Sequence, residues 1–168
     1  MADDDYNDHL FMLMAAEEAR LDADFRFLDD GAQLMLALTS VNDPTDLPDI
    51  IVLDLRMPRL DGHGTLKQLQ EHPDLWQIPV IVYTSSTRPV DQTTSFDRGA
   101  RWFETKPSRF PDMVAFARRI GQYVTVSGSA PVKPSRTRHR RGVTFDPTRL
   151  RFDPRIFDDI EAALRMDD

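Results

Sequence analysis

Asp49-Ile50-Ile51-Val52-Leu53-Asp54, followed directly by Leu55-Arg56-Met57-Pro58-Arg59-Leu60-Asp61-Gly62, is the stretch that decides the fold. Four apolar residues in succession, three of them β-branched, stand between two aspartates. A strand with one face in water would alternate apolar with polar. A run without alternation reads as a strand covered on both faces, the usual condition in a parallel α/β sheet. Ile78-Pro79-Val80-Ile81-Val82-Tyr83-Thr84 reads the same way. Asp24-Phe25-Arg26-Phe27-Leu28 and Arg101-Trp102-Phe103-Glu104 are shorter and more polar, as strands near a sheet edge would be.

Helical spacing fills the intervals. Leu10, Leu13, Met14 and Leu21 recur at helix period, as do Leu34, Met35 and Leu38, then Leu66 and Leu69. Met113, Val114, Ala117 and Ile120 form a further stripe after Pro111, a favoured first-turn residue. Strand and helix alternating through short connections imply parallel pairing by right-handed crossovers. The expected fold is therefore α/β, a doubly wound parallel sheet over residues 1–124. Such sheets carry their chemistry in the crevice at the carboxyl ends of the strands.

Composition bounds the remaining possibilities. The chain has 168 residues, 40% hydrophobic and 29% charged, enough for one ordinary core and a tail. The apolar run Leu10 to Ala16 is far too short to span a bilayer, and no export signal is read at the start. The absence of cysteine rules out disulfides, thiol catalysis and cysteine-ligated zinc, and fits a cytoplasmic protein. A net charge of −7 argues against nucleic acid as the partner of the whole chain. The charge is uneven: residues 125–168 hold 9 Lys and Arg against 7 Asp and Glu, which leaves the first 124 residues at −9.

At the strand ends, Asp54 closes the most hydrophobic strand, Thr84 closes the next, and Lys106 follows the last, just before Pro107. Asp3, Asp4 and Asp5 precede the first helix. One sheet edge thus gathers several carboxylates, a hydroxyl and an ammonium. Crowded carboxylates repel, and a hard divalent cation with oxygen ligands, Mg²⁺ above all, relieves them. A cation, a lysine and a hydroxyl are also what a phosphoryl group on one aspartate would need for neutralisation. His9, His63, His72 and His139 show no metal-ligand spacing, and no phosphate-binding glycine motif occurs.

The run from Asp54 to Gly62 resembles the D-x-x-M-P-x-x-D-G signature of bacterial response-regulator receiver domains. Thr84 stands 30 residues after Asp54 and Lys106 stands 22 after Thr84, spacings similar to that family's. The resemblance covers residues 2–124 and implies a flavodoxin-like receiver fold and a phosphorelay function without enzymatic turnover of a substrate. It implies that Asp54 takes a phosphoryl group from a histidine kinase. Asp3, Asp4, Asp54 and the backbone carbonyl of Arg56 would hold Mg²⁺, Thr84 and Lys106 would engage the phosphate, and Phe103 would move as the aromatic switch. It also implies a cis Lys106–Pro107 peptide, a readout face around residues 89–122 that could pair two copies, and tuning of phosphate lifetime at Arg56 and Ser86. The runs Ala2-Asp3-Asp4-Asp5-Tyr6-Asn7-Asp8 and Pro73-Asp74-Leu75-Trp76-Gln77-Ile78-Pro79-Val80 further resemble small stand-alone receivers that partner sensor kinases, bacterial phytochromes among them, which implies a kinase of that kind as partner.

Phosphorylation adds about −1.5 to −2 charges and three strong acceptor oxygens. Driving a two-state switch from mostly off to mostly on takes about 5.5 kcal/mol of differential interaction, which one charge-assisted hydrogen bond and one shielded ion pair can supply.

Three features depart from the family pattern. Only Met1 and Ala2 precede Asp3 where an interior strand is expected, so two ladders would stand unpaired. The expectation is either a true start upstream of Met1 or a tail segment such as Thr148–Phe152 in the slot. Arg56 and Ser86 are the second departure. The third is the tail: a basic Ser/Pro/Arg-rich linker over 125–152, expected to be disordered, then a short amphipathic helix over 153–168 opened by Asp153-Pro154. Two other classes stay open: a phosphorylation-independent pseudo-receiver adaptor, and a D-x-D phosphohydrolase, against which Arg56 in place of the second aspartate argues.

Overall fold

The computed structural model describes residues 1–127. The expected short helix at 153–168 and all but the first three residues of the expected linker lie outside the described residues. Those three belong to a helix that continues to Ser127, past the expected boundary at 124. Chain contacts group into two compact units. One comprises Met1–Leu13 with Asp24–Pro107, the other Met14–Ala23 with the chain from Ser108.

In the first unit the two apolar runs form the sheet. Strands β1 (Ile51–Leu53) and β2 (Val80–Thr84) are buried along their whole length, as unalternating apolar runs should be. β3 (Trp102–Thr105) is mixed in exposure, and the three pair in parallel in the order β1-β2-β3. Val82 and Tyr83 are fully buried at the centre.

The slot beside β1 is held by Met1–Asp3. Ala2 bridges Leu28 on one side and Leu53 on the other, both in parallel. Ala2 donates to the Val52 carbonyl at 2.8 Å, Asp54 donates to the Ala2 carbonyl at 2.9 Å, and Asp3 donates to the Leu28 carbonyl at 2.9 Å. The ladders expected to be orphaned are paired at these positions, so the tail segment is not needed beside Leu28 and Leu53. Reading the bridges with the strands gives the spatial order Leu28, Ala2, β1, β2, β3, which is the flavodoxin-like order. The expected strand at 24–28 contracts to the Leu28 bridge. Its Phe25 and Phe27 stack on each other at 5.8 Å between ring centroids, while Asp24 and Arg26 face solvent.

Helices α1 (Tyr6–Glu18), α2 (Gly31–Thr39), α3 (Gly62–Glu71), α4 (Pro89–Asp97) and α5 (Phe110–Ser127) complete the alternation, with one 3₁₀ turn at Pro44–Asp46. Leu34, Leu38, Leu66 and Leu69 bury as their spacing predicts, joining Leu53, Leu55, Val80 and Val82 in one core cluster. α1 departs from expectation. Its buried stripe is His9, Met12, Ala15 and Ala16, while Leu13 is exposed. Helix period alone does not choose between adjacent apolar stripes on a helix that is apolar most of the way round. In the second unit, Met113, Val114, Ala117 and Ile120 are buried on α5 as expected, together with Phe116. Gly121 lies so close to Leu21 that a Cβ there would come within 2.8 Å of the leucine Cδ1.

Candidate functional site: an acidic cleft at the strand ends

The turn after β1 is built to present Asp54. Asp61 caps α3 by accepting the Gly64 amide at 2.7 Å. The Gly62 amide donates to the Leu55 carbonyl at 3.0 Å, and a Cβ at Gly62 would meet the Asp54 carbonyl oxygen at 2.2 Å. The Asp-Gly pair is therefore a capping residue followed by a position with no room for a side chain. Met57 is buried in the core, while Arg59 adopts a left-handed φ of 61° and pairs with buried Asp30, the N-cap of α2. These contacts fix the loop from both ends.

Asp54 is buried. Its Oδ1 accepts the Leu55 amide at 2.7 Å and its Oδ2 lies 3.4 Å from Lys106 Nζ. Asp3, fully buried, places Oδ2 2.8 Å from the same ammonium, and the half-buried Asp8 places Oδ2 at 2.6 Å. One oxygen each from Asp3, Asp4 and Asp54 lie within 4.8 Å of one another. Around them is an open cleft of about 440 Å³ lined by Asp3, Asp4, Asp5, Asp8, Asp54, Arg56, Ser85 and Lys106. Five carboxylates thus face two cations.

That imbalance has electrical consequences. At an effective dielectric constant of 20, each close attraction or repulsion is worth about 4 kcal/mol before desolvation, so one ammonium cannot offset several carboxylates and their mutual repulsion. Burial pushes the Asp3 carboxyl up to about 7, although Lys106 pulls it down. Burial would depress Lys106, but its bonds to Asp3 and Asp8 outweigh this and hold it above the ordinary lysine range. The donor set, three carboxylate oxygens of separate residues on one side of an open cleft, fits a hard divalent cation that keeps waters on its other side.

The sequence-predicted residues separate into two groups. Asp3, Asp4, Asp54 and Lys106 are brought together, with Arg56 on the cleft wall. The Arg56 guanidinium donates to Ser85 Oγ, joining the two loops that border the cleft. Thr84, fully buried at the end of β2, is turned toward its own loop, where Oγ1 accepts the Ser86 amide at 3.3 Å. Phe103 is half-buried on β3 against the core. The expected cis Lys106–Pro107 bond is not found, since every peptide among the described residues is trans. A proline lowers the cost of the cis form without making it the preferred one. Asp8 was not anticipated. Its only signal is its place in the first turn of a helix that starts just after Asp3-Asp4-Asp5.

The model of the response regulator receiver domain matches residues 3–118. A protein described as "Probable methanogenesis regulatory protein FilR2", from Methanothrix harundinacea, is 31% identical over 71% of this chain and 79% of its own length. Response regulator Rcp1 of Synechocystis is 26% identical over 73% of this chain and 85% of its own. The crystal structure of the Mn²⁺-bound form of Rcp1 superposes with a TM-score of 0.63, covering 73% of this chain and 89% of that one. The bacteriophytochrome response regulator RtBRR, 31% identical, superposes with a TM-score of 0.57 over 68% of this chain and 71% of that one. Fold, acidic cleft and these likenesses agree: the chain belongs to the response regulator receiver domain family of two-component systems.

Proposed function

We propose that this receiver is a phosphorylation switch in which Asp54 accepts a phosphoryl group from a histidine kinase and the charged state is read by protein contact. The observation that carries the proposal is the placement of Asp54: buried at the end of β1, 3.4 Å from Lys106 and clustered with Asp3 and Asp4. In the transfer, an Asp54 carboxylate oxygen attacks phosphorus, the phosphorus–nitrogen bond of phosphohistidine breaks, and the imidazole leaves with its electron pair. Mg²⁺ held by Asp3, Asp4, Asp54 and the Arg56 carbonyl would neutralise charge on the transferring group. Lys106 then pairs with a phosphoryl oxygen in place of one of its present carboxylates. Thr84 rotates from the Ser86 amide to donate to another oxygen, with Phe103 following. The protein turns over no substrate beyond its own phosphate.

The likeness to RtBRR supports a bacteriophytochrome among the candidate kinases. Exposed Val90 and Phe96 on α4 and Trp102 on β3 support the part of the expected readout region that lies in the first unit, residues 89–107, as a contact face where two copies could pair. The adaptor reading is the weaker one, because an adaptor would not need an unbalanced acidic cleft. The phosphohydrolase reading lacks its second aspartate, since Arg56 points to Ser85.

Incubation with acetyl phosphate and Mg²⁺, read by intact mass, tests the proposal. Gain of one phosphoryl group that is lost in Asp54→Asn supports it, and no gain in the wild type favours the adaptor.

A further inference from the structure

A second polar cluster lies away from the acidic cleft, where the loop after β2 enters α4. Ser86 and Asp91 are both buried, and the Ser86 hydroxyl donates to Asp91 Oδ2. Arg88 clamps the same carboxylate twice, Nε to Oδ2 at 3.0 Å and Nη2 to Oδ1 at 2.7 Å. His63 Nε2 approaches Oδ1 at 3.5 Å from α3, and Arg98 ties the His63 carbonyl at 2.9 Å. Asp91 itself is fixed in the first turn of α4, where its amide donates to the Arg88 carbonyl at 3.0 Å and its carbonyl accepts Ser95 Oγ at 2.6 Å. α4 has no side-chain N-cap of its own, so the Asp91 carboxylate, instead of serving the helix amides, reaches back to the loop.

This cluster touches the switch through one residue. The Ser86 amide donates to Thr84 Oγ1 while the Ser86 hydroxyl is held by Asp91. A Thr84 hydroxyl that swings toward a phosphate on Asp54 draws on the loop through its 3.3 Å bond to the Ser86 amide, and that loop is pinned to α4 through the Ser86 hydroxyl.

We propose that Asp91 is a positioning residue that latches the loop 84–88 to α4 and so holds Thr84 away from Asp54. The inference rests on the reading of Asp54 as phosphoacceptor. The latch acts as a brake: it stabilises the present loop arrangement relative to the one that engages phosphate, and weakening it raises the population competent for charging. It also gives the loop movement a route to α4, because the loop and the first turn of the helix share one carboxylate.

The test compares wild type, Ser86→Ala, Asp91→Asn, their double variant and Ser86→Thr. Two rates are read, phosphate uptake from acetyl phosphate with Mg²⁺ and amide hydrogen exchange over residues 84–91 in the unphosphorylated protein. Each single variant is expected to speed uptake about fivefold, the scale of one hydrogen bond, and to raise exchange in the loop but not in β1. The double variant should gain less than the sum of the two singles, since both cut the Ser86–Asp91 bond while each also loses its own contact with Arg88, whose amide donates to Ser86 Oγ at 3.3 Å. Ser86→Thr, which keeps the hydroxyl, should behave as wild type. Unchanged uptake and exchange, slower uptake, or fully additive effects would each overturn the latch. If the wild type takes up no phosphate, the reading of Asp54 fails, and loop exchange alone then decides the latch. Thermal melts identify any variant that has simply lost its fold, and Ser86→Ala, which removes a single atom, is the variant least exposed to that failure.

Discussion

Two polar clusters sit at the carboxyl edge of the same sheet and are built on opposite principles. Around Lys106, the carboxylates of Asp3, Asp8 and Asp54 compete for one ammonium, with Asp4 and Asp5 beside them. Around Asp91, the proportion reverses, because one carboxylate is shared by a serine, an arginine and a histidine. The first cluster leaves negative charge uncompensated. In the second, the carboxylate is satisfied from within the protein. Burial raises Asp3 to about 7, whereas the Arg88 and Ser86 bonds lower Asp91 to about 2. The proposed function accounts for the difference: a site to be filled by a cation and a phosphoryl group is left unbalanced, whereas the carboxylate of the proposed latch is compensated by its neighbours.

The contrast can be broken most forcefully at Lys106. Replacing it with methionine leaves buried carboxylates without their cation, and the expected loss is about 3–5 kcal/mol. Urea unfolding without divalent metal would measure it, and Mg²⁺ should restore part of the loss. A loss under 1 kcal/mol would mean that the acidic cluster is not held by this ion pair.

Next in size is the response of the wild type to Mg²⁺. At about a hundred times its dissociation constant, the metal should stabilise the fold by about 2.7 kcal/mol. Asp3→Asn should lose most of that gain, and Asp91→Asn none of it. A melting temperature indifferent to Mg²⁺ would remove the reason given for the crowded carboxylates.

The smallest effect sharpens the other side. Asp91→Asn should cost about 1 kcal/mol near neutral pH, because the Arg88 partner lies largely in solvent. A carboxyl whose folded value is depressed stabilises above its ordinary value, near 4, and loses that contribution as pH falls through its folded value, about 2 here. The stability gap between wild type and Asp91→Asn should therefore be full at pH 5 and shrink below about pH 4. A gap independent of pH would show that the carboxylate charge contributes nothing.

The two clusters also differ in how readable they were from sequence. Asp54 and Thr84 announce themselves, because each closes a strand whose apolar run is hard to misread, whereas Lys106 follows the more polar β3 and is found by its spacing from Thr84 and by the edge that strand ends share. Asp61-Gly62 is legible for a reason the structure supplies: one residue caps α3 and the other has no space for a Cβ. Asp8 was hidden, since whether a residue in a first helical turn faces the cleft depends on where the helix begins and how it is rotated. The same uncertainty exchanged the expected Leu10, Leu13 and Met14 stripe for His9, Met12, Ala15 and Ala16. The Asp91 latch was hidden more deeply. Ser86, Arg88 and Asp91 look like ordinary polar punctuation before a helix, and only the backbone path brings His63 beside them.

The central claim is that the unbalanced cluster exists to charge Asp54, and phosphotransfer tests it most directly. The wild type and Asp54→Asn, each given acetyl phosphate and Mg²⁺, should differ completely in intact mass, with one phosphoryl group on the former and none on the latter. Equal uptake by the two proteins would contradict the account.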